Sequence, residues 1–469
     1  MPDDASAARS GTGRLRILPW IVGIAFFMQM LDASILNTAL PAIGAGFGTS
    51  PLRMHAVVIA YMLTVATLIP ASGWIADRFG ARRVFVFAIM LFTLGSLACA
   101  ASVNLETLTA ARVLQGTGGA LLVPVGRLSV LRAFPRDQLV RVLSSVTIPG
   151  LLGPLMGPVL GGLLAHYFSW RWIFLINIPV GIVGIVLSLH CMPPLTAEKK
   201  PDGFDWTGFV FFGSFMIALT LSLEGLGENP LPLWQRLLMA ALGVGGLLAY
   251  CVHALRSHSP LFSPLLFRTR NFRVGIIGNL FSRLGGGAMP FLTPLLLQVG
   301  LDYSPVKAGL TMLPLSLGAM IGKSLVDRLI KSLGFQRFLT INTLLVSLML
   351  SAYSLIEKET PYLCILALFT AAGIVNSLQF TGMNTITLID LPNEEAGGGN
   401  SLLSAVMQLS MGMGVAIAAA LLDIFTTPAP SNLKAFHTTF LILGAVSASS
   451  AVIFSRTRNT TGHGVGARE

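Results

Sequence analysis

WIVGIAFFMQMLDASILNTALP, residues 20–41, is an apolar segment of membrane-spanning length with a single carboxylate, Asp32, near its middle. Aspartate at the centre of a membrane-spanning helix costs about 2.5–3.5 kcal/mol on insertion scales, so it is kept where it faces a protein interior or a water-filled path. The segment therefore predicts a proton or cation site at Asp32. The alternative is a buried carboxylate that only pairs with Arg or Lys and holds helices together.

The composition of the whole chain agrees with this first segment. Of its 469 residues, 54% are hydrophobic and 11% are charged, against about 25% charged residues in soluble domains. Apolar runs long enough to cross a ~30 Å hydrocarbon core recur from end to end. They predict an all-α polytopic membrane protein with fourteen transmembrane helices, at residues 17–41, 56–76, 84–102, 106–126, 142–165, 172–192, 205–225, 233–255, 274–299, 306–326, 338–356, 361–388, 398–422 and 436–455.

The net charge of +11 is explained by topology rather than by a nucleic-acid partner. With the N-terminus in the cytoplasm, 22 of the 31 Lys and Arg residues fall on the cytoplasmic side and six on the other. This bias predicts a multi-pass protein of the cell (inner) membrane with both termini in the cytoplasm. The four cysteines have neither metal nor redox spacing, so no metal and no cofactor are expected.

The order of the helices predicts two related halves. Residues 1–194 hold six helices, residues 195–260 hold a linker and two inserted helices, and residues 261–469 hold six helices and a short tail. The loop at residues 77–83 (DRFGARR) has a degenerate counterpart at residues 331–337 (KSLGFQR), in which Lys331 replaces Asp77. Paired six-helix halves are a transporter architecture, with the binding site near the midplane between them.

The loop at residues 73–83 (GWIADRFGARR) resembles the signature loop of the major facilitator superfamily, G-x-x-x-D-R-x-G-R-R. The resemblance implies the fold of that family and a cytoplasmic gate latch made of Gly73, Asp77, Arg78, Gly80 and Arg83. In that family the Asp lies near the N-terminal end of a helix in the opposite half, here residues 397–400, where the helix dipole favours a carboxylate. The alternative is that the arginines only set topology.

Residues 112–120 (RVLQGTGGA) are similar to the R-x-x-Q-G motif of the same family. Arginine within a membrane helix needs an acceptor, and Asp32 is the deep candidate. The pair predicts a proton switch in which Arg112 holds Asp32 ionised and releases it when the helices shift. A fixed ion pair that only stabilises the bundle remains the alternative.

Residues 150–162 (GLLGPLMGPVLGG) resemble the antiporter motif of proton-coupled drug exporters. Glycines at intervals of three or four share a helix face that lets another helix approach closely, and the prolines bend the helix. Ordinary small-residue packing has the same physical form, so the coupling role rests on the resemblance. The residues are Gly150, Gly153, Pro154, Gly157, Pro158, Gly161 and Gly162.

Two further stretches narrow the resemblance to the fourteen-helix drug/proton antiporters, the EmrB/QacA group. Residues 31–41 (LDASILNTALP) resemble its L-D-x-T-I-V-N-x-A-L-P motif, with Ser34 in place of Thr, and residues 169–181 (SWRWIFLINIPVG) match its junction of the fifth and sixth helices. Over the whole chain the resemblance is to the MdtD/HsrA type of that group.

The second half has buried charges of its own, Arg283 and Lys323. Arg283 could pair with Asp32 across the midplane, bind an anionic substrate group or reach a membrane surface, whereas Lys323 is expected to extend to the surface. The polar residues that could line a substrate cavity are Asn37, Gln115, Arg283, Asn376, Gln379 and Gln408.

These features predict a proton-coupled antiporter that exports amphiphilic or cationic small molecules, a multidrug efflux protein driven by the proton gradient. The alternatives are a dedicated exporter of one metabolite or organic anion, or a membrane sensor that does not transport. Its partners would be small-molecule substrates, protons and the lipid bilayer; a periplasmic adaptor stays open. No HExxH motif or Ser/His dyad lies at membrane depth, which argues against an enzyme.

Overall fold

The computed structural model describes residues 3–193, 203–224, 232–426 and 433–457, and within these ranges it contains helices and no strand. The first half comprises α1 (Asp3–Phe47), α2 (His55–Phe79), α3 (Ala81–Ala101), α4 (Leu105–Ala133), α5 (Arg136–Tyr167), α6 (Trp172–Leu175) and α7 (Asn177–Cys191). The expected boundary at residue 194 and most of the linker that follows it lie outside the described residues.

The helices after residue 203 belong to the predicted inserted pair and the predicted second half. The pair is α8 (Trp206–Glu224) and α9 (Leu233–Arg256). The second half comprises α10 (Arg270–Gly286), α11 (Met289–Leu295), a π-helical turn (Leu296–Gly300), α12 (Pro305–Thr311), α13 (Leu313–Ala352), α14 (Tyr362–Leu388), α15 (Asn393–Thr426) and α16 (Leu433–Phe454).

Helices form here because lipid offers no partner to a backbone N–H or C=O group, so each segment must satisfy its own. Polar caps mark where several of them begin. Asn104 accepts from the N–H of Thr107 in a capping box at the start of α4, and Ser304 accepts from the N–H of Lys307 at the start of α12.

Twelve helical segments of the described chain are long and apolar enough to cross a membrane. One of them, Pro305–Leu355, is 51 residues long and contains the non-helical residue Gly334, where two helices meet. A further helix, α4, is 29 residues long, but Arg112, Gln115 and the run of Gly and Thr at residues 116–119 lower its hydropathy. The expectation of an all-α membrane protein is confirmed; the number fourteen stays a prediction.

Glycines with positive φ stand at matching places in the two halves. Gly80, between α2 and α3, has a φ of 88°, and Gly334, within α13, has a φ of 72°. Both residues occupy a backbone region that is open to Gly, which has no Cβ, and that L-residues rarely adopt. The degenerate sequence repeat at residues 77–83 and 331–337 therefore corresponds to the same chain reversal.

The buried apolar side chains show where the halves meet. One cluster joins the two halves and includes Ile35 and Leu40 of α1 with Leu292 and Leu295 of α11. The opposite ends of the helices have separate clusters, one within the first half around Phe85 and one within the second half around Phe338. The halves are thus packed together at the end remote from Gly80.

Candidate functional site

Asp32 lies at the centre of a buried polar cluster in the first half. Its residue is 1% exposed, and its carboxylate accepts three hydrogen bonds. Arg112 Nη1 donates to Oδ2 at 2.6 Å, whereas Gln115 Nε2 and Asn177 Nδ2 donate to Oδ1 at 2.8 and 2.9 Å. The sequence prediction that Arg112 is the partner of Asp32 agrees with this geometry.

Arg112 is equally enclosed and makes further contacts. Nη1 also donates to Gln115 Oε1 at 2.6 Å, and Nε donates to the carbonyl of Val57 at 3.4 Å. The guanidinium lies 4.2 Å from the centroid of the Tyr61 ring, a cation–π arrangement. The positive charge therefore has a carboxylate, an amide, a carbonyl and an aromatic face around it.

Three members of this cluster were not assigned a role from the sequence. Ser96 on α3 accepts from Gln115 at 2.8 Å and from Asn177 at 3.3 Å, and Tyr61 on α2 covers Arg112. Asn177 belongs to the junction motif at residues 169–181. The sequence therefore indicated where it lies along the chain, but not that its side chain faces Asp32. The cluster joins α1, α2, α3, α4 and α7.

The glycine face of α5 packs against the part of α1 that carries Asp32. A Cβ atom at Gly153 would lie 2.7 Å from the backbone N of Leu31, and one at Gly157 would lie 2.5 Å from Ser34 Cβ. Gly150 and Gly161 face Phe26 and Ile35 of the same helix. Glycine at these positions permits this close approach of the two helices, because a larger side chain would collide with α1.

The same helix also forms the seam with the second half. Gly162 abuts the backbone of Pro305, and Gly309 abuts the backbone of Pro158. Ser316 donates to the carbonyl of Pro154 at 2.9 Å. Gln298 of the π-helical turn donates to the carbonyl of Thr38 on the neighbouring α1 at 2.8 Å.

At the opposite end, the loop around Gly80 holds to its own half. Asp77 forms an ion pair with Arg132 at the end of α4, and Arg82 donates to the carbonyl of Leu189 on α7. Arg78 and Arg83 are exposed, and Gly73, Gly397 and Gly398 have open space where a Cβ would stand. The expected contact between Asp77 and the start of α15 is therefore absent from this conformation, as far as the described residues extend.

The second half contains a cavity of about 270 Å³ beside Arg283. Arg283, Asn376 and Gln379 line it, together with Met289, Met383, Met411, Phe380 and other mostly apolar residues. Gln379 is held in place, because it accepts from Asn342 at 2.9 Å and donates to Thr343 at 2.8 Å.

The other residues expected at the cavity lie elsewhere. Gln115 belongs to the Asp32 cluster, and Asn37 donates to the carbonyl of Ala33 at 2.9 Å. Gln408 is half-buried on α15 and does not line the cavity, and Lys323 is exposed. Arg283 does not pair with Asp32, whose carboxylate Arg112 occupies. Among the described residues no group of His, Cys, Asp or Glu could hold a metal ion.

Comparison with known proteins agrees with the geometry. A family model, Major Facilitator Superfamily, matches residues 22–415. The chain is 46% identical to multidrug resistance protein MdtD of Pectobacterium atrosepticum over 93% of this chain and 94% of that one. It is 47% identical to the protein of the same name from Salmonella heidelberg, over 94% and 95% of the two chains. The resemblance to the MdtD type is confirmed.

Solved structures share the fold at much lower identity. A POT family transporter in complex with 5-aminolevulinic acid matches with a TM-score of 0.70 and 14% identity, over 93% of this chain and 95% of that one. A D-xylose-proton symporter matches with a TM-score of 0.66 and 14% identity, over 95% and 98%. These matches concern the fold alone.

Proposed function

Because the chain belongs to the major facilitator superfamily, we propose that it is a proton-coupled antiporter that exports amphiphilic or cationic small molecules by alternating access. Membership makes the protein a multi-pass membrane transporter and not an enzyme. The names of its MdtD relatives support multidrug efflux as the activity. The observation that carries the proposal is the buried Asp32–Arg112 pair on helices that pack against the seam between the halves.

The proposed topology has fourteen transmembrane helices. It counts the twelve apolar segments, adds α4, and divides the 51-residue segment at Gly334. The charge bias supports a topology in which both termini and the Asp77 loop lie on the cytoplasmic side of a bacterial inner membrane. The packed end of the molecule is then the outer one, and the conformation is open toward the cytoplasm.

Proton coupling follows from the cost of a buried charge without a partner. Protonation of Asp32 removes the counter-ion of Arg112, which is 1% exposed. An uncompensated buried guanidinium is strongly unfavourable, so the protonated state favours an arrangement in which Arg112 reaches another acceptor or water. Such an arrangement requires α1 and α4 to move relative to each other.

That movement can reach the second half through α5. Because its glycines leave no room for α1 to shift alone, displacement of the Asp32 segment displaces α5. The other side of α5 touches α12 through Gly162 and Gly309. In the opposite, outward-open conformation the Asp77 loop would approach the start of α15 and close the cytoplasmic end, where the helix dipole favours the carboxylate.

The test is proton movement in proteoliposomes under an imposed pH gradient, with a panel of lipophilic cations and organic anions. Substrate-dependent proton movement should disappear in Asp32→Asn, because the variant cannot bind and release the coupling proton. Asp302→Asn is the matched control, because that side chain is 70% exposed and pairs with Lys358 rather than with a member of the cluster. An Asp32→Asn variant that still drives substrate against a gradient would contradict the proposal.

A further inference from the structure

We propose that the cavity beside Arg283 binds the carboxylate of a small amphiphilic organic monoanion, and that such anions are a substrate class of this transporter. The description of the ligand as a substrate depends on the proposed function. Binding itself depends only on the cavity. The two can therefore be tested apart.

Arg283 is a buried cation without a counter-ion. It is 7% exposed, and no Asp or Glu of the described chain lies within ion-pair distance. Nε donates to Asn279 Oδ1 at 3.3 Å, Nη1 lies 4.0 Å from the sulfur of Met411, and Nη2 is buried with no hydrogen-bond partner. The guanidinium also lies 4.7 Å from the centroid of the Phe380 ring.

Arg112 shows what a structurally satisfied arginine looks like in the same molecule. It has a carboxylate at 2.6 Å and an amide oxygen at 2.6 Å. Arg283 has the burial but lacks the anion. Because an unpaired buried charge is costly, a protein retains it where a ligand supplies the opposite charge.

The other residues that line the cavity indicate that the rest of the ligand is apolar. Its walls are mostly apolar and include Leu315, Val346, Met383 and Phe380. Gly286 adds space, since a Cβ there would have only Asn376 Oδ1 as a neighbour, at 3.9 Å. The volume of about 270 Å³ lies just below the range of roughly 300–1,000 Å³ that is typical of ligand pockets, which favours a small ligand.

One cationic group and apolar walls together specify the charge of the ligand. A single carboxylate would neutralise Arg283 through charge-assisted hydrogen bonds at Nη1 and Nη2. A second carboxylate would find no further cation among the lining residues, and a cationic ligand would be repelled by Arg283. Asn376, half-buried and lining the same cavity, offers a neutral polar contact.

The experiment measures binding of three naphthalene compounds of one shape to the purified full-length protein in detergent, by equilibrium dialysis against protein-free micelles. The probes are 2-naphthoate, 2-naphthamide and 2-naphthylmethylammonium. We expect saturable binding of the carboxylate, and Arg283→Gln should weaken it about 10- to 100-fold, as for loss of a hydrogen bond to a charged group. The amide and the ammonium should bind the wild-type protein no better than they bind Arg283→Gln.

Two further variants separate the site from general damage. Gly286→Leu should abolish binding of the carboxylate by filling the cavity while Arg283 stays in place. Lys323→Gln removes one positive charge from an exposed position in the same half and should leave the affinity unchanged. The thermal unfolding temperature of each variant shows whether it is folded, and Arg283→Gln should not unfold earlier than the wild type, because it removes an unpaired buried charge.

The inference is overturned if naphthoate and naphthamide bind alike, if Arg283→Gln binds naphthoate as the wild type does, or if chloride binds at Arg283 and no organic anion displaces it. Saturable anion binding without proton-coupled movement in proteoliposomes would support the anion site and contradict the proposed function. Proton coupling to cations alone, without anion binding, would support the proposed function and contradict the anion site.

Discussion

Asp32 and Arg283 each stand near the middle of the first helical segment of their half, and they are opposite in charge and in environment. Asp32 accepts three hydrogen bonds and pairs with an arginine. Arg283 has an amide, a sulfur and an aromatic ring, but no carboxylate. The first half therefore neutralises its buried charge internally, whereas no carboxylate among the described residues neutralises Arg283.

Asp32→Asn should lower the free energy of unfolding by about 3–5 kcal/mol, because it leaves Arg112 buried without its counter-ion. The double variant Asp32→Asn/Arg112→Gln should regain most of this loss while remaining uncoupled in transport. Thermal unfolding in detergent, followed by circular dichroism, measures the difference.

The control for this pair is the exposed one between Lys358 and Asp302, whose side chains are 60% and 70% exposed. Asp302→Asn should cost less than about 1 kcal/mol. If the double variant is as unstable as Asp32→Asn, the uncompensated charge of Arg112 is not what destabilises the single variant.

The sequence revealed Asp32 and Arg112 because lone charges in apolar helices need partners. It did not reveal Ser96 or Tyr61, since hydroxyl groups can satisfy themselves on their own helix and carry no comparable signal. It grouped Asn37 and Gln408 with Arg283 although they lie elsewhere. Hydropathy locates a helix in the membrane, but the rotation of that helix is decided by packing against its neighbours.

At the scale of elements, α5 packs against two different helices through two of its faces. Gly153 and Gly157 face α1, and Gly162 faces α12 of the other half. The sequence motif predicted close packing of one face. The second contact could not be predicted, because a pattern of glycines does not identify the helix that approaches it.

Gly153→Leu should destabilise the protein by about 1–3 kcal/mol through overpacking and should impair proton coupling, because the added side chain would press on α1 at Leu31. Gly245→Leu in α9 is the matched control, since nothing lies within 4 Å of a Cβ there. Unfolding temperature and transport in proteoliposomes are the two readouts. Equal behaviour of the two variants would show that the α1–α5 approach is not required.

The inserted pair is fastened at its ends by Asp205, which precedes α8. Its carboxylate accepts from the N–H groups of Gly208 and Leu261 at 2.9 Å each, and His253 Nε2 of α9 donates to it at 2.7 Å. Partial burial opposes ionisation, but these hydrogen bonds outweigh it and hold the pKa of Asp205 below its usual value.

Because its pKa is lower in the folded state, ionised Asp205 stabilises the fold above the ordinary carboxyl pKa of about 3.9, and this contribution is lost as the pH falls toward the lower, folded value. Asp205→Asn should therefore unfold at a lower temperature than the wild type at pH 7. The difference between the two unfolding temperatures should become smaller toward pH 3. Unfolding curves across this pH range test it. A gap that is constant with pH would mean that the charge of Asp205 has no part in the attachment.

At the scale of the whole molecule, one buried apolar cluster joins the halves at the end remote from the Asp77 loop. Contacts such as Gln298 with Thr38 and Ser316 with Pro154 join them away from the Asp77 loop. The sequence repeat predicts two related halves, and Gly80 and Gly334 share a constrained backbone at its two copies. Which end is closed was not readable, because alternating conformations have the same sequence.

Single cysteines introduced into a chain lacking its four native ones should report the orientation. Gly397→Cys, where a side chain has open space, should react with a membrane-impermeant thiol reagent in inverted vesicles but not in intact cells. Lys358→Cys, at an exposed position predicted to be periplasmic, should show the opposite pattern. Labelling of both from the same side would refute the predicted topology.

The inserted pair has a consequence for molecules dissolved in the lipid. Phe212 and Met216 of α8 pack with Ala66 of α2 and with Leu402 of α15, and at the end of α2 the ring of Trp74 lies 5.1 Å from that of Phe204, just before α8. One flank of the space between the halves is thus screened from the bilayer by protein. We expect a compound that enters sideways from a leaflet to use the other flank, so mutations that alter lateral uptake should map to one side of the transporter only.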